Sequence, residues 1–193
     1  MTIRLADLTI AAFLDPATGR RVARGEGDYA AIATVGRDPA GFFYVLDAWL
    51  RRAPPSEQIR ALFDLNERWN YCLVGIETNC FQELLLTPIE EERQRRRAAG
   101  SRRWQMPVRP VRQAGNKQDR ISKLEPMVES GQLRFAADLP EEFWRQLEAF
   151  PRARHDDGLD AVEGAVTLLR SFELAAPLPK APPRRTPRPM QNF

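Results

Sequence analysis

The stretch LTIAAFLDP, residues 8–16, is a mainly apolar run that a proline ends. Its composition predicts a β-strand, and the proline forces an exit from the sheet because it has no N–H to donate. Asp15 therefore lies at the carboxyl end of this first strand. Two further β-like runs follow, 29–35 and 42–49, and the turn-prone segment RDPAG at 37–41 joins them. Three consecutive strands predict an antiparallel meander.

The rest of the chain alternates helices with strands. The segment Pro54-Pro55-Ser56 opens a helix that ends near Trp69, with Ser56 as the predicted N-cap. The apolar run 71–76 predicts a strand covered on both faces, and Glu77 marks its end. The later predicted elements are a helix over 81–97, a strand over 104–111, a helix over 118–130 that Pro126 should kink or break, a strand over 133–135, and helices over 140–150 and 159–172. This order predicts an α/β fold, a mixed β-sheet with helices on both faces.

The run HDDGLDA, residues 155–161, places three carboxylates at the mouth of an apolar helix. Asp157 and Asp160 are three positions apart and project from one side of its first turn, with Asp156 beside them. Carboxylates crowded in this way repel one another unless a cation lies between them. Mg²⁺ and Mn²⁺ prefer such oxygen ligands, and two adjacent ions commonly cleave phosphodiesters. The alternative is an acidic N-terminus that the helix dipole favours.

Two more acids lie at strand ends, where sites gather in folds of this class. We expect Asp15 and Glu77 to converge with the acidic run, although the two are distant from it in sequence. The alternative for Asp15 is a simple turn-forming Asp-Pro, and for Glu77 a surface charge at a strand end.

Size and composition limit the classes of protein. The 193 residues suffice for one domain with a full core, expected over residues 1–175, and the Pro/Arg-rich residues 176–193 predict an unpacked tail. The two cysteines make neither a disulfide framework nor a zinc site. There is no run of eighteen apolar residues and no secretory leader, so we expect a cytoplasmic protein without membrane contact.

A basic block between Arg93 and Arg120 is the strongest pointer to a polyanionic partner. It can follow a phosphate backbone, or it can be a solvated helix end and loop. Two other side chains are accessory candidates: Asp28 is expected to order a loop, and His155 either accepts a proton, orients a carboxylate or is structural. The candidate DNA contacts are Arg102, Arg103, Arg112, Lys117 and Arg120.

From about residue 8 to 172 the chain resembles the RNase H-like nuclease domain of phage large terminase subunits, which cut concatemeric DNA during genome packaging. The motifs that carry the resemblance, in chain order, are LDPA at 14–17 with GDYA at 27–30, IETN at 76–79, NKQDRI at 116–121 with LEP at 124–126 and Gly131, and HDDGLDA at 155–161.

The resemblance implies an RNase H-like fold and a DNA endonuclease that uses two Mg²⁺ or Mn²⁺ ions. It implies a first metal ligand at Asp15, a second at Glu77, and further ligands from Asp157 and from Asp156 or Asp160. Related Holliday-junction resolvases carry an Asp-x-x-Asp pair on their last helix, which Asp157 and Asp160 match. The implied partners are double-stranded DNA, a packaging ATPase, the small terminase subunit and the portal; the cytoplasm is then that of the host.

One departure concerns the ATPase motor, which normally precedes the nuclease. The chain has no phosphate-binding loop of the form GxxxxGK[ST], so it is expected to be either an excised nuclease domain or a subunit whose motor is a separate chain. No major-groove reading helix or zinc finger is evident, so little sequence specificity is expected. Two alternatives stay open: a junction resolvase on the same fold, and a catalytically silent DNA- or motor-docking module.

Overall fold

A six-stranded mixed sheet forms the centre of the computed structural model, which describes residues 4–17, 29–78 and 82–175. The sheet order is β5-β4-β1-β2-β3-β6. The strands are β1 Thr9–Asp15, β2 Ala30–Arg37, β3 Phe43–Arg51, β4 Leu73–Glu77, β5 Val108–Val111 and β6 Leu133–Phe135. A 3₁₀ turn, Leu5–Asp7, precedes them, and the helices are α1 Pro55–Trp69, α2 Gln82–Ala98, α3 Lys117–Ser122, α4 Glu125–Glu129, α5 Glu141–Ala149 and α6 Asp157–Ala175.

Strand pairing confirms the predicted meander and the mixed character of the sheet. β1 pairs antiparallel with β2, and β2 pairs antiparallel with β3. β4 lies parallel to β1 on its other side, with Leu14 opposite Ile76. The next residue of each strand is an acid, so this register brings the backbones of Asp15 and Glu77 side by side at the same sheet edge.

Alternation along β1 divides its side chains between two cores. Phe13 packs with α6 on one face, whereas Leu14 packs with α1 and α2 on the other. α6 lies directly on β1: a Cβ built on Gly164 would be 2.6 Å from the Phe13 ring. The glycine therefore lets the helix approach the sheet closely, which brings the first turn of α6 near the ends of β1 and β4.

Three predicted boundaries differ from the structure. Ser56 is not the N-cap, because Pro55 occupies the first turn, where its fixed φ and missing N–H are tolerated, and Pro54 is the cap. The strand predicted over 104–111 is limited to β5, because β4 pairs with it only from Val74 to Glu77. α6 begins at Asp157, two residues before the predicted start.

Pro126 has the predicted effect on the helix expected over 118–130. The segment is split into α3 and α4, and Pro126 lies in the first turn of α4, where its missing donor is harmless. Gly131 follows α4 with a left-handed φ of 68°, a conformation that glycine adopts readily just after a helix. Within the described part of the chain, no helix is both long and apolar enough to span a bilayer. Asp28 and the predicted tail, 176–193, lie outside the described residues.

Candidate metal centre

Three carboxylates meet where the carboxyl ends of β1 and β4 face the first turn of α6. Asp15, Glu77 and Asp160 each offer one oxygen, and these three atoms lie within 4.8 Å of one another. Asp160 is buried, and the other two side chains are partly buried. Carboxylate oxygens in this number and spacing are the donor set that a hard divalent cation such as Mg²⁺ or Mn²⁺ prefers. The residues present therefore fit such an ion.

Asp157 and Asp156 approach the same pocket from the start of α6. Asp157 is buried; its Oδ2 accepts a hydrogen bond from the Tyr29 backbone N–H at 3.2 Å, and its Oδ1 one from the Lys117 ammonium at 2.8 Å. Asp156 Oδ1 lies 2.9 Å from the same ammonium. The pair is thus connected to the three-acid set through Lys117. Together these five side chains form the acid cluster: Asp15, Glu77, Asp156, Asp157 and Asp160.

The Lys117 ammonium lies among four carboxylates. Besides the two short contacts, its Nζ is 3.7 Å from Asp15 and 3.8 Å from Asp160. The position follows from local structure, because the Asn116 side chain caps α3 by accepting the Gln118 N–H at 2.8 Å and so makes Lys117 the first helical residue. The lysine neutralises part of the negative charge of the pocket.

Arg120, one turn further along α3, faces α6. Its guanidinium donates to both oxygens of Asp160 at 2.8 Å and to Gln113 Oε1 at 2.8 Å, while its Nε lies 3.9 Å from Glu163. In this structure Arg120 is therefore occupied inside the protein and orients Asp160.

The electrostatics favour cation binding. Burial raises the pKa of Asp15 well above its ordinary value against the opposing effect of Lys117, and neighbouring Glu77 and Asp160 add to the rise. Burial also raises the pKa of Asp160 to about 6, although Lys117 and Arg120 oppose it. For Lys117, burial lowers the pKa, but the carboxylates of Asp157 and Asp15 outweigh burial, so its pKa is raised. The pocket contains more carboxylate than its two cations neutralise.

The remaining predicted site residues are scattered. Arg102 and Arg112 are exposed. Arg103 donates to the backbone carbonyl of Glu67, so it connects the loop after α2 to α1. His155 Nδ1 lies 3.9 Å from Asp157 Oδ2, and its ring packs edge-on against Tyr29. Asp28 falls outside the described residues.

Two positioning contacts were missed in the sequence. Gln146 of α5 accepts the Gly158 N–H at 2.9 Å through its side chain, which fixes the start of α6 beneath the acid cluster. The Tyr29 backbone N–H orients Asp157 from the start of β2. No local pattern signals either contact, because both depend on how α5 and β2 cross α6.

Comparison with known proteins adds the family to this geometry. A family model described as the terminase RNase H-like domain matches residues 12–168. The chain belongs to this family. The match runs from β1 into α6 and so includes Asp15, Glu77 and the acids that begin α6, and the resemblance predicted from the sequence is confirmed.

Two solved structures show that the terminase-family fold extends over most of the chain. The human cytomegalovirus terminase nuclease domain, soaked with Mn, is 14% identical over 90% of this chain and 89% of its own, with a TM-score of 0.61. The large terminase nuclease of the thermophilic phage G20c, with bound magnesium, is 16% identical over 83% of this chain and 82% of its own, with a TM-score of 0.55. No curated protein matches the chain in sequence. The predicted RNase H-like fold class is therefore confirmed.

Proposed function

We propose that this terminase-family domain is a metal-dependent DNA endonuclease that hydrolyses phosphodiesters with two divalent ions. The observation that carries the proposal is the convergence of Asp15, Glu77 and Asp160 within 4.8 Å at the strand ends. The named relatives support it: one structure was soaked with Mn and the other contains magnesium. The substrate we propose is concatemeric viral DNA during genome packaging, cut with little sequence specificity.

Each acid has a role in this proposal. Asp15, Glu77 and Asp160 would hold the metal where their oxygens converge, and Asp157 with Asp156 would supply further ligands from the start of α6. When bound, Mg²⁺ or Mn²⁺ supplies an activated water and stabilises charge on the leaving oxygen.

The basic side chains orient the reacting groups. Arg120 holds both oxygens of Asp160, which fixes the direction in which that carboxylate faces the pocket. The Lys117 ammonium, now held by Asp157 and Asp156, is within reach of any phosphate that enters the pocket. His155 contacts Asp157 only at 3.9 Å, so we assign it to support of that carboxylate rather than to proton transfer.

The wider setting follows from the family. We propose residues 1–175 as the nuclease domain and 176–193 as a tail outside it. The proposed partners are double-stranded DNA, a packaging ATPase, the small terminase subunit and the portal, in the cytoplasm of a host cell.

The experiment compares cleavage of supercoiled plasmid with Mn²⁺, with Mg²⁺ and with EDTA. Asp15→Asn and Asp157→Asn should each lower the cleavage rate at least about 100-fold, roughly 3 kcal/mol of transition-state stabilisation. The matched control is Asp119→Asn, an exposed acid of α3 outside the acid cluster, which should cut like wild type.

Other outcomes contradict the proposal. Intact plasmid with the wild-type protein and either metal would identify a silent docking module instead. Cleavage of four-way junctions in preference to linear duplex would identify a resolvase. Equal cleavage by wild type and both acid variants would mean that the acid cluster is not the active site.

A further inference from the structure

A second concave region lies beside the acid cluster. An open cavity of about 620 Å³ is bordered by β5 and the segment after it, by α3 and α4, and by the middle of α6. Five cationic side chains line it, whereas Glu163 is the one carboxylate among its lining residues. We call this cavity the basic cleft; its cations are Arg109, Arg112, Arg120, Lys123 and Arg170.

Most of this positive charge is not neutralised inside the protein. Arg109, Arg112, Lys123 and Arg170 are exposed, and within the described ranges none of them forms an ion pair with a carboxylate. Arginines elsewhere behave differently: on α2, Arg95 pairs with Glu92 at 2.5 Å. Arg170 contacts only the Met127 sulfur and the Phe43 ring among the interactions of the described residues. Cations that gather in a concave surface without carboxylate partners concentrate a polyanion there.

The basic cleft adjoins the acid cluster at Arg120 and Glu163. Arg120 lines the cleft and also donates to both oxygens of Asp160. Glu163 lies one turn after Asp160 on α6 and approaches Arg120 Nε at 3.9 Å. A strand whose scissile phosphate lies at Asp160 would therefore enter the cleft with its neighbouring phosphates.

The chemistry of the lining suits a sugar-phosphate chain rather than base edges. Apolar side chains such as Leu124, Met127 and Val166 also line the cleft, and the hydroxyls of Thr167 and Ser171 already donate to Glu163 and to the Leu168 carbonyl, which leaves the cations as the groups that can contact a ligand. Contacts of this kind position a nucleic acid backbone without reading its sequence. The volume falls in the range of pockets that hold small organic molecules, which is too small for a duplex.

We propose that the basic cleft binds a short stretch of one DNA strand, by its phosphates, next to the scissile bond. The proposal deepens the proposed nuclease function and rests on it for the direction of the strand. In this proposal the bound DNA strand leaves the acid cluster along α6 and passes over β5 and α4; we call this course the strand path. Of the DNA contacts predicted from the sequence, it retains Arg112 and adds Arg109, Lys123 and Arg170, whereas Arg120 stays engaged with Asp160.

The test measures DNA binding in EDTA, where metal-dependent cleavage is absent. Fluorescence anisotropy of a labelled single strand and of the matching duplex would be titrated with Arg112→Gln/Lys123→Gln over a range of salt. We expect the Kd for the single strand to rise about tenfold and the salt slope of log K to fall by about 1.4, the value for two lost contacts to a single strand. The rise in the Kd for the duplex should be no larger than the rise for the single strand.

The matched control removes the same net charge elsewhere. Arg60→Gln/Arg145→Gln changes two exposed arginines of α1 and α5, outside the basic cleft. It should leave Kd within about twofold of the wild-type value. A second cleft pair, Arg109→Gln/Arg170→Gln, repeats the test if the first pair unfolds, as thermal unfolding would reveal.

Each outcome bears on one proposal at a time. Equal losses in the cleft and control pairs, no loss in the cleft pairs, or a loss confined to duplex would overturn the strand path. Wild-type protein that does not cut plasmid, with binding still dependent on the cleft pairs, would overturn the nuclease and leave the cleft as an anion site. Cleavage that depends on Asp15, with cleft pairs that bind like wild type, would overturn the strand path alone.

Discussion

Replacing Lys117 by methionine tests whether its ammonium holds the acid cluster together in the absence of metal. The substitution keeps most of the side-chain volume but removes the charge that lies 2.8 Å from Asp157, 2.9 Å from Asp156 and 3.7 Å from Asp15. Without the ammonium, the carboxylates of Asp15, Asp156 and Asp157 would repel one another. We therefore expect the metal-free variant to be less stable than the wild-type protein.

The magnitude follows from the exposure of the ammonium group. Removing one partner of a fully buried pair typically costs about 3–5 kcal/mol. The Lys117 side chain is 33% exposed, so solvent screens part of this interaction, and we expect a loss of about 2 kcal/mol in the free energy of unfolding. For a domain of this size that loss lowers Tm by about 4–8 °C.

Thermal unfolding followed by circular dichroism, in EDTA and again with Mn²⁺, measures both halves of the prediction. In EDTA the Lys117→Met variant should melt below wild type. With Mn²⁺ the difference should narrow, because carboxylates without their lysine bind the ion more tightly and binding stabilises the folded state. Calorimetric titration of Mn²⁺ should show an affinity at least about tenfold above wild type.

The matched control is Lys123→Met, which removes an exposed lysine that pairs with no carboxylate within the described ranges. It should change Tm by no more than about 2 °C. If Lys117→Met melts with the wild-type protein in EDTA, or binds Mn²⁺ more weakly than wild type, the ammonium does not act as a resident counter-ion and the electrostatic account of the pocket is wrong.

Two further predictions concern α6. Burial raises the pKa of Asp160 from 3.8 to about 6, so the folded protein binds this proton more tightly than the unfolded chain does. The free energy of unfolding of the metal-free protein should therefore fall by up to about 3 kcal/mol as the pH rises from about 4 to about 6. Urea unfolding of Asp160→Asn should lack this pH dependence of the free energy of unfolding. Identical pH profiles for this variant and the wild-type protein would show that Asp160 does not cause it. Gly164→Ala should cost about 1–3 kcal/mol in the same assay, because its Cβ would meet the buried Phe13 ring at 2.6 Å, whereas Ser122→Ala at the exposed end of α3 should cost less than about 0.5.

The acids at the strand ends were predictable because both strands are almost entirely apolar in sequence. β1 and β4 are apolar runs that end directly in Asp15 and Glu77, and parallel neighbours bring such ends to one edge. The apolar stripe of α6 likewise indicated a buried helix with acids in its first turn. Local composition sufficed in these places because burial on both sides of an element leaves little choice of residue.

Contacts between distant elements were beyond local patterns. Lys117 was assigned to a phosphate, yet its position among four carboxylates depends on how α3 lies against α6. Arg103 belonged to a basic run, but its guanidinium bonds a backbone carbonyl of α1, a contact that only the packing of α1 against the loop after α2 creates. The length of β5 was set by its partner β4 rather than by its own composition.

The separation in sequence between β1 and α6 has a consequence for synthesis. Asp15 emerges from the ribosome at the end of the first strand, whereas Asp160 follows only after every strand of the sheet has been made. A nascent polypeptide that lacks α6 has two of the three converging oxygens and also lacks Asp157. If the acid cluster is the proposed nuclease site, that site becomes complete only after α6 has been translated, so a partly made domain would lack the activity.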